Sequence, residues 1–501
     1  MQLIKLEGSK TTQLFWLIAG VLAAVAFLTA DQSDPAVTAA GVLLALVSML
    51  PFYVWLLGWS HGLPIWPVFS LVLGMTYALP MFQDPETLDG YSSFEIILGG
   101  MTTVGFILLA STIWVFMTSQ TPPAPKKVFM IEEEHAVRYL LLFVAGGVLF
   151  GLNQLAGWIS FPGNLMSVVR GIAMSLNALA LFVLAYYQGR GLLDMRSLVL
   201  FILGASATMI MGMTSLMLAQ AIVPVAMVIF GYMLGSNKLP WRMMALVFVV
   251  MAILHAGKYE MRKEYWSGEG PSLDLQTLPQ FYIDWFNFGL EELGGFTGVI
   301  SGPQKEESPS SVFDRSGNLH MLLLVQQKSP VEIPFLNGST YEPIPRLLIP
   351  RFLDDAKGIS HAGNIILSMH YGLQTEEQTK TTSIAWGLVP EAYANFGYLG
   401  VAALAVVLGI FYSIVTKSTV GVPMTSLRFV LGLLIMAAAT KADTMGVFVT
   451  TQFQGVVGVS VAALVLMRRH KNPFAEQSPS QAKNPQFVSK RRFQPVSYTH
   501  L

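Results

Sequence analysis

Apolar runs long enough to cross a bilayer recur along the chain, separated by mostly short polar connections. They are Leu14–Ala30, Ala36–Leu57, Leu63–Leu79, Ile96–Met117, Tyr139–Trp158, Met166–Tyr187, Leu198–Met213, Met217–Leu234, Met243–His255, Leu388–Ile414, Leu427–Ala439 and Val447–Met467. The third is short and carries Pro64 and Pro67, and the ninth extends toward the polar region after it. Leu198–Leu234 is read as a hairpin turning near Thr214–Gln220, because Arg196 and Lys238 flank it and belong on one side. The pattern predicts an all-α polytopic membrane protein of about twelve transmembrane helices. A large loop separates the ninth span from the tenth. A carrier built of two six-helix halves would place its long loop in the middle, so this layout counts against a symmetric carrier.

Charge orients the spans, since Lys and Arg are retained on the cytoplasmic side. With the N-terminus inside, the inner connections carry Lys126, Lys127 and Arg138, then Arg190 and Arg196, then Lys238 and Arg242, then Lys417 and Arg428. The tail opens inside with Arg468, Arg469, His470 and Lys471, so both termini are cytoplasmic. The outer connections carry Asp31, Asp34, Asp84, Glu86 and Asp89; only Arg170 and Lys441 break the pattern. Composition agrees: 53% of residues are hydrophobic and 12% charged, against about a quarter charged in an ordinary soluble domain. Net charge is zero, which removes nucleic acid as a partner, and the lack of cysteine excludes disulfides, thiol catalysis and cysteine metal sites. Lys5 and Lys10 precede the first apolar run without a small-residue cleavage pattern, so that run is read as a retained helix.

Four regions follow: nine helices in 1–255, a large extracytoplasmic loop or cap in 256–386, three helices in 387–470, and a disordered cytoplasmic tail in 471–501. Pro495–Leu501 read as a translated sequencing adapter and receive no function. The loop begins with aromatics (Tyr259, Tyr265, Trp266, Phe281, Tyr282, Trp285, Phe286, Phe288) that suit sugar stacking or an interfacial belt. Gly302–Ser311 has the composition of a flexible stretch, whereas Met321–Val325 and Ile344–Leu353 are apolar enough to pack. A connection this long is functional or disordered.

The chain lacks a phosphate-binding G-x-x-x-x-G-K-[ST], an H-E-x-x-H, a G-x-S-x-G and a D-x-D. Chemistry-bearing residues gather instead in the second half of the loop. It reads Pro334-Phe-Leu-Asn-Gly-Ser-Thr-Tyr341, then Ile344-Pro-Arg346 and Arg351-Phe-Leu-Asp-Asp-Ala-Lys357, then His361, His370 and Glu391-Ala-Tyr-Ala-Asn-Phe-Gly397. This order resembles the bacterial oligosaccharide repeat-unit polymerases, the Wzy-type O-antigen polymerases. There a PF-x-x-G-x-T-Y element, an IPR followed by a Lys, and an E-x-Y-x-N-F-G element precede a late transmembrane helix. The motif resemblance covers Asp314–Gly409. The family's Trp-Pro-Asp-Lys-Pro is here Phe352-Leu-Asp-Asp-Ala-Lys-Gly358, which leaves the role of Lys357 open.

The resemblance implies a membrane-bound glycosyltransferase of the bacterial inner membrane, with the loop on the periplasmic or extracellular side. It would polymerise undecaprenyl-pyrophosphate-linked repeat units for O-antigen or exopolysaccharide biosynthesis, without nucleotide, metal or other cofactor. Its partners would be lipid-linked glycans, membrane lipid and a regulator of chain length. A related ligase and a polysaccharide or lipid flippase are the alternatives. Arg346, Arg351, Lys357 and Arg170 are the candidates for holding pyrophosphate, because Arg matches phosphate with a rigid fork of donors. Arg346 and Arg351 equally suit headgroup snorkelling or ion pairs with Asp354 and Asp355, and Arg170 suits snorkelling. His361, His370 and Glu391 are the candidate proton acceptors. Packing or surface roles fit the histidines as well, and an ordinary N-terminal helix charge fits Glu391.

Overall fold

A computed structural model of the protein describes residues 8–28, 30, 34–83, 86–131, 133–160, 163–216, 218–265, 273–297, 318–349, 354, 358–380, 382–440 and 443–475. Every apolar run read from the sequence is helical within these residues. The helices up to the loop are α1 (Gly8–Leu28), α2 (Pro35–Leu56), α3 (Ile65–Ala78), the short α4 (Pro80–Gln83), α5 (Ser93–Thr118), α6 (Glu133–Ala156), α7 (Gly163–Gly189), α8 (Met195–Met213), α9 (Ala219–Ser236) and α10 (Trp241–Ala256). Between the loop and the tail come α17 (Leu388–Ser418), α18 (Leu427–Ala438) and α19 (Met445–Leu466). The loop holds α11 (Lys258–Tyr265), α12 (Leu278–Thr297), α13 (Asn318–Lys328), α14 (Ile344–Leu347), α15 (Ala362–His370) and α16 (Glu376–Thr379).

Eight of these helices are long and apolar enough to cross a membrane, and a ninth qualifies if α10 and α11, bent by 49°, count as one span. The chain is therefore a polytopic membrane protein built almost wholly of helices. The remaining apolar runs form shorter helices, among them α18 with 12 residues; at 1.5 Å per residue it rises about 18 Å, so any crossing there would be completed by the residues that flank it.

Local chemistry sets the helix starts. Asp34 accepts the Ala36 N–H ahead of Pro35, a residue suited to a first helical position. Ser92 and Glu95 form a reciprocal capping box at α5. Packing inside the bundle relies on small residues: Gly231 and Gly235 of α9 lie against the carbonyls of Phe182 and Tyr186 of α7, where no side chain fits.

The bundle has two chemically different ends. At one, β1 (Lys127–Ile131) pairs antiparallel with β2 (Met467–Lys471). There the Asn472 amide donates to the carbonyls of Pro125 and Gly421 (both 2.8 Å), and the Ile131 N–H donates to Thr425. Lys126, Lys127, Lys417, Arg428, Arg468, Arg469 and Lys471 all belong to this end. At the other, α13 packs on the start of α5: Gln327 donates to Glu95, and Leu319 and Leu323 press on Gly99. Asp34 joins it there, its carboxyl held below the ordinary range by the Ser93 hydroxyl. The small sheet is an addition to the all-α expectation, and it binds the segment after α5 to the start of the tail. Arg351, Lys357, Asp355, Trp266, Lys441, the 302–311 stretch and the tail beyond 475 lie outside the described residues.

Candidate functional site

The two motif elements that carry the family resemblance meet in space although more than fifty residues separate them. Leu336 N–H donates to the Ala394 carbonyl (3.0 Å) and Asn337 N–H to the Asn395 carbonyl (3.2 Å). Asn395 completes the junction with its side chain: Oδ1 accepts the Gly338 N–H at 2.8 Å, and Nδ2 donates to Thr340 Oγ1 at 2.8 Å. The same Nδ2 donates to the Glu391 carbonyl one turn back, so the residue is fully committed as well as fully buried.

The junction forces a break in α17. Phe396 (φ −143°, ψ 16°) and Gly397 (φ 62°, ψ −148°) leave the helical region. The Gly397 conformation is closed to residues with a Cβ, which would also meet the Phe335 ring at 3.0 Å. From Tyr398 to Ser418 the helix keeps 21 residues, rising about 31 Å, which suffices to span hydrocarbon. Leu388–Asn395 is thereby set off as a separate short segment within the cap layer.

Glu391 is the centre of that segment. It is 0% exposed, and its Oε2 accepts the N–H of Met445, the first residue of α19, at 2.6 Å. A carboxylate at a partly buried helix N-terminus gains up to about 2 kcal/mol from the aligned peptide dipoles. The first turn of α15 closes over the other oxygen: a methyl on Gly363 would lie 3.2 Å from Glu391 Oε1. Three helix N-termini, those of α15, α17 and α19, thus converge on one carboxyl. Around it, Asp443 Oδ1 accepts from Thr444 N–H (2.7 Å) and from Asn364 Nδ2 (3.3 Å).

Among the described residues, three buried oxygens of this node lack a well-aligned hydrogen bond, Glu391 Oε1, Thr444 Oγ1 and Asn364 Oδ1, with the Thr340 hydroxyl as a nearby donor to the Glu391 carboxyl. Buried polar atoms are nearly always satisfied, so this grouping makes the node a candidate site. Tyr341 senses the node. Burial, and after it the Glu391 charge, push its phenol above the ordinary range.

The other candidates take distinct positions. Arg346 grips Asp354 with two nitrogens (2.9–3.1 Å) and is 58% exposed, an ion pair at the surface. Its one-turn helix α14 leans on α19 through Leu347, which lies against Gly446. His370 Nε2 donates to the Pro334 carbonyl at 2.9 Å, tying α15 to the first motif element. His361 occupies the N-cap position of α15 without a capping hydrogen bond. Arg170 is exposed on α7, next to Gly171, which packs on Gln454. Gln454 is nine residues into α19 from Met445, about 14 Å along the helix, so Arg170 stands apart from the node.

Thr340, Asn364, Asn395 and Thr444 enter the site without a role assigned from sequence, and Asp443, whose charge suits a pair with the nearby Lys441, joins them. Thr340 and Asn395 left a trace there, in the first and third motifs. The described residues include no group of three or more His, Asp or Glu side chains placed to hold a metal ion.

Beside the node, a shallow apolar groove runs between α5 and α17, lined by Leu98, Met101, Phe106, Leu109, Tyr398 and Val401. Its wall reaches the cap, since Thr102 accepts from Gln326 of α13 and Tyr398 meets Tyr393 edge-on at 5.1 Å. No family model, curated protein or solved structure matches this chain.

Proposed function

We propose that the protein is a membrane-embedded glycosyltransferase that joins lipid-linked oligosaccharide units, in the manner of the Wzy-type polymerases its loop resembles. One observation carries the reading. The Pro334–Tyr341 and Glu391–Gly397 elements, the two most regular parts of the resemblance, are hydrogen-bonded to each other around a buried carboxyl. The topology that goes with it has twelve crossings, cytoplasmic termini and the cap on the outer face.

In the reaction, a sugar hydroxyl of one unit forms a bond to the anomeric carbon of another. The bond from that carbon to undecaprenyl pyrophosphate breaks, and the hydroxyl proton passes to an acceptor on the protein. Glu391 is the acceptor best prepared for this, as Met445 N–H holds one oxygen of its buried carboxyl and the Thr340 hydroxyl stands beside it as a second donor. The converging helix N-termini favour negative charge, and with Arg346 and Arg351 they would receive the pyrophosphate. The groove between α5 and α17 offers its hydrocarbon chain an apolar path to the node. Access to Glu391 requires the first turn of α15 to move off the carboxyl.

The test uses membranes containing the full chain and a lipid-linked repeat unit, without nucleotide or added metal, with products resolved by length. A ladder lost in Arg351→Ala supports the polymerase. A single unit added to a foreign acceptor replaces it with the ligase. Lipid-linked units that cross the bilayer without growing exclude the enzyme and leave a flippase.

A further inference from the structure

At the opposite end of the bundle, the β1–β2 sheet presents an unusual face. In an antiparallel pair, directly opposed residues share a face. Lys127 is opposite Lys471 and Phe129 is opposite Arg469, and all four are exposed. Like charges placed directly across a ladder repel, yet neither lysine nor Arg469 has an ion-pair partner among the described residues. Phe129 stands between them with 49% of its surface open. It cannot retreat, because Val128 and Ile131 on either side are buried and fix the strand. Lys126 adds a further exposed cation next to the pair. The acidic run Glu132–Glu134 follows the strand in sequence.

The position of this face decides what would cover it. Strand β2 begins at Met467, the residue after α19 ends, and Asn472 ties the sheet to the turn just after α17. The face therefore lies where two membrane helices leave the hydrocarbon, at the depth of lipid headgroups. Cations around an exposed aromatic ring suit that layer: the ring tolerates the interface and the cations attract acidic lipid. We propose that the Lys127–Phe129–Arg469–Lys471 face binds the phosphate headgroups of anionic phospholipids, which bridge the opposed lysines. This site is separate from the glycan chemistry at the other end and does not depend on it.

The test reconstitutes the full chain in phosphatidylcholine vesicles and compares spin-labelled phosphatidylglycerol with spin-labelled phosphatidylcholine at the protein boundary. The wild type is expected to favour the anionic lipid by about three- to tenfold, falling toward unity at 1 M salt. The triple variant Lys127→Gln, Arg469→Gln, Lys471→Gln should lose that preference, and the charge-keeping pair Lys127→Arg, Lys471→Arg should retain it. Removing three cations from the same end but away from the sheet, with Arg190→Gln, Arg196→Gln and Lys238→Gln, is the control for a general field. Equal loss in that control, or no preference in the wild type, overturns the proposal.

Discussion

The two halves of the loop differ in sequence, one rich in aromatics and one in polar motifs, and the structure treats them differently as well. In the first half, Phe281 and Trp285 are fully buried with Met261, Leu254, Leu216 and Leu218 in an apolar cluster between α10, α12 and the α8–α9 turn. Their polar neighbours are spent on holding it: Trp285 Nε1 donates to the Leu254 carbonyl at 2.6 Å, Tyr282 to Ile210, and Arg262 to Leu216. Phe281 and Trp285 are thereby closed to stacking, while Tyr259 and Phe286 stay exposed. In the second half, the apolar contacts of α13 support a polar junction beside three buried oxygens that lack a well-aligned hydrogen bond. Burial in the first half is thus mainly apolar packing, and in the second half it encloses polar oxygens.

The largest expected effect breaks this comparison if it fails. Glu391→Gln keeps an oxygen for the Met445 N–H but removes the proton acceptor. It should lower the rate of glycan extension by about 10²- to 10⁴-fold while thermal unfolding in detergent changes little. Trp285→Ala should do the reverse. Opening a cavity in the first cluster costs about 3–5 kcal/mol of stability, and the protein that remains folded should extend glycans at the normal rate. If Trp285→Ala abolishes extension in folded protein and Glu391→Gln does not, the working site lies in the aromatic half.

Gly397→Ala sharpens the same contrast at an intermediate scale. Forcing a Cβ into that backbone conformation costs about 1–3 kcal/mol and presses on Phe335. The expected result is faster amide hydrogen exchange at Leu336, Asn337 and Gly338, whose N–H groups bond to the segment just before the break. Gly358→Ala, where an added methyl meets nothing within 4 Å, is the matched control and should change stability by less than about 0.5 kcal/mol. Unchanged exchange in Gly397→Ala would mean that the break in α17 does not hold the two motifs together.

What the sequence disclosed follows from the range of the forces involved. Hydropathy is a local property, so each apolar run was legible as a helix, down to the hairpin whose two arms became α8 and α9. The Arg346–Asp354 pair was legible as one of three readings because eight residues separate the partners. The break at Phe396–Gly397 was hidden inside an unbroken apolar run, with only the Asn-Phe-Gly triplet to signal it. The node itself could not be read: Glu391 meets Met445 across 54 positions, and nothing near either residue announces the other. The sheet was hidden for the same reason, with Lys127 and Lys471 paired from opposite ends of the chain. In β2, moreover, four polar residues mask any strand signal.

The smallest effect concerns the one candidate phosphate ligand that the structure shows already occupied. Arg346 is exposed and paired with Asp354, and an exposed ion pair is worth about 0–1 kcal/mol, so a phosphate can take the guanidinium at little cost. Asp354→Asn weakens that competition. If Arg346 serves the lipid-linked substrate, this variant should lower KM by about two- to fivefold with kcat unchanged, because free guanidinium no longer has to be released first. Arg346→Gln should raise KM instead. A role confined to bracing α14 makes a different forecast, in which both variants lose the same small amount of stability and neither moves KM. The opposite signs are what matter, since no purely structural pair improves substrate binding when its carboxylate is neutralised.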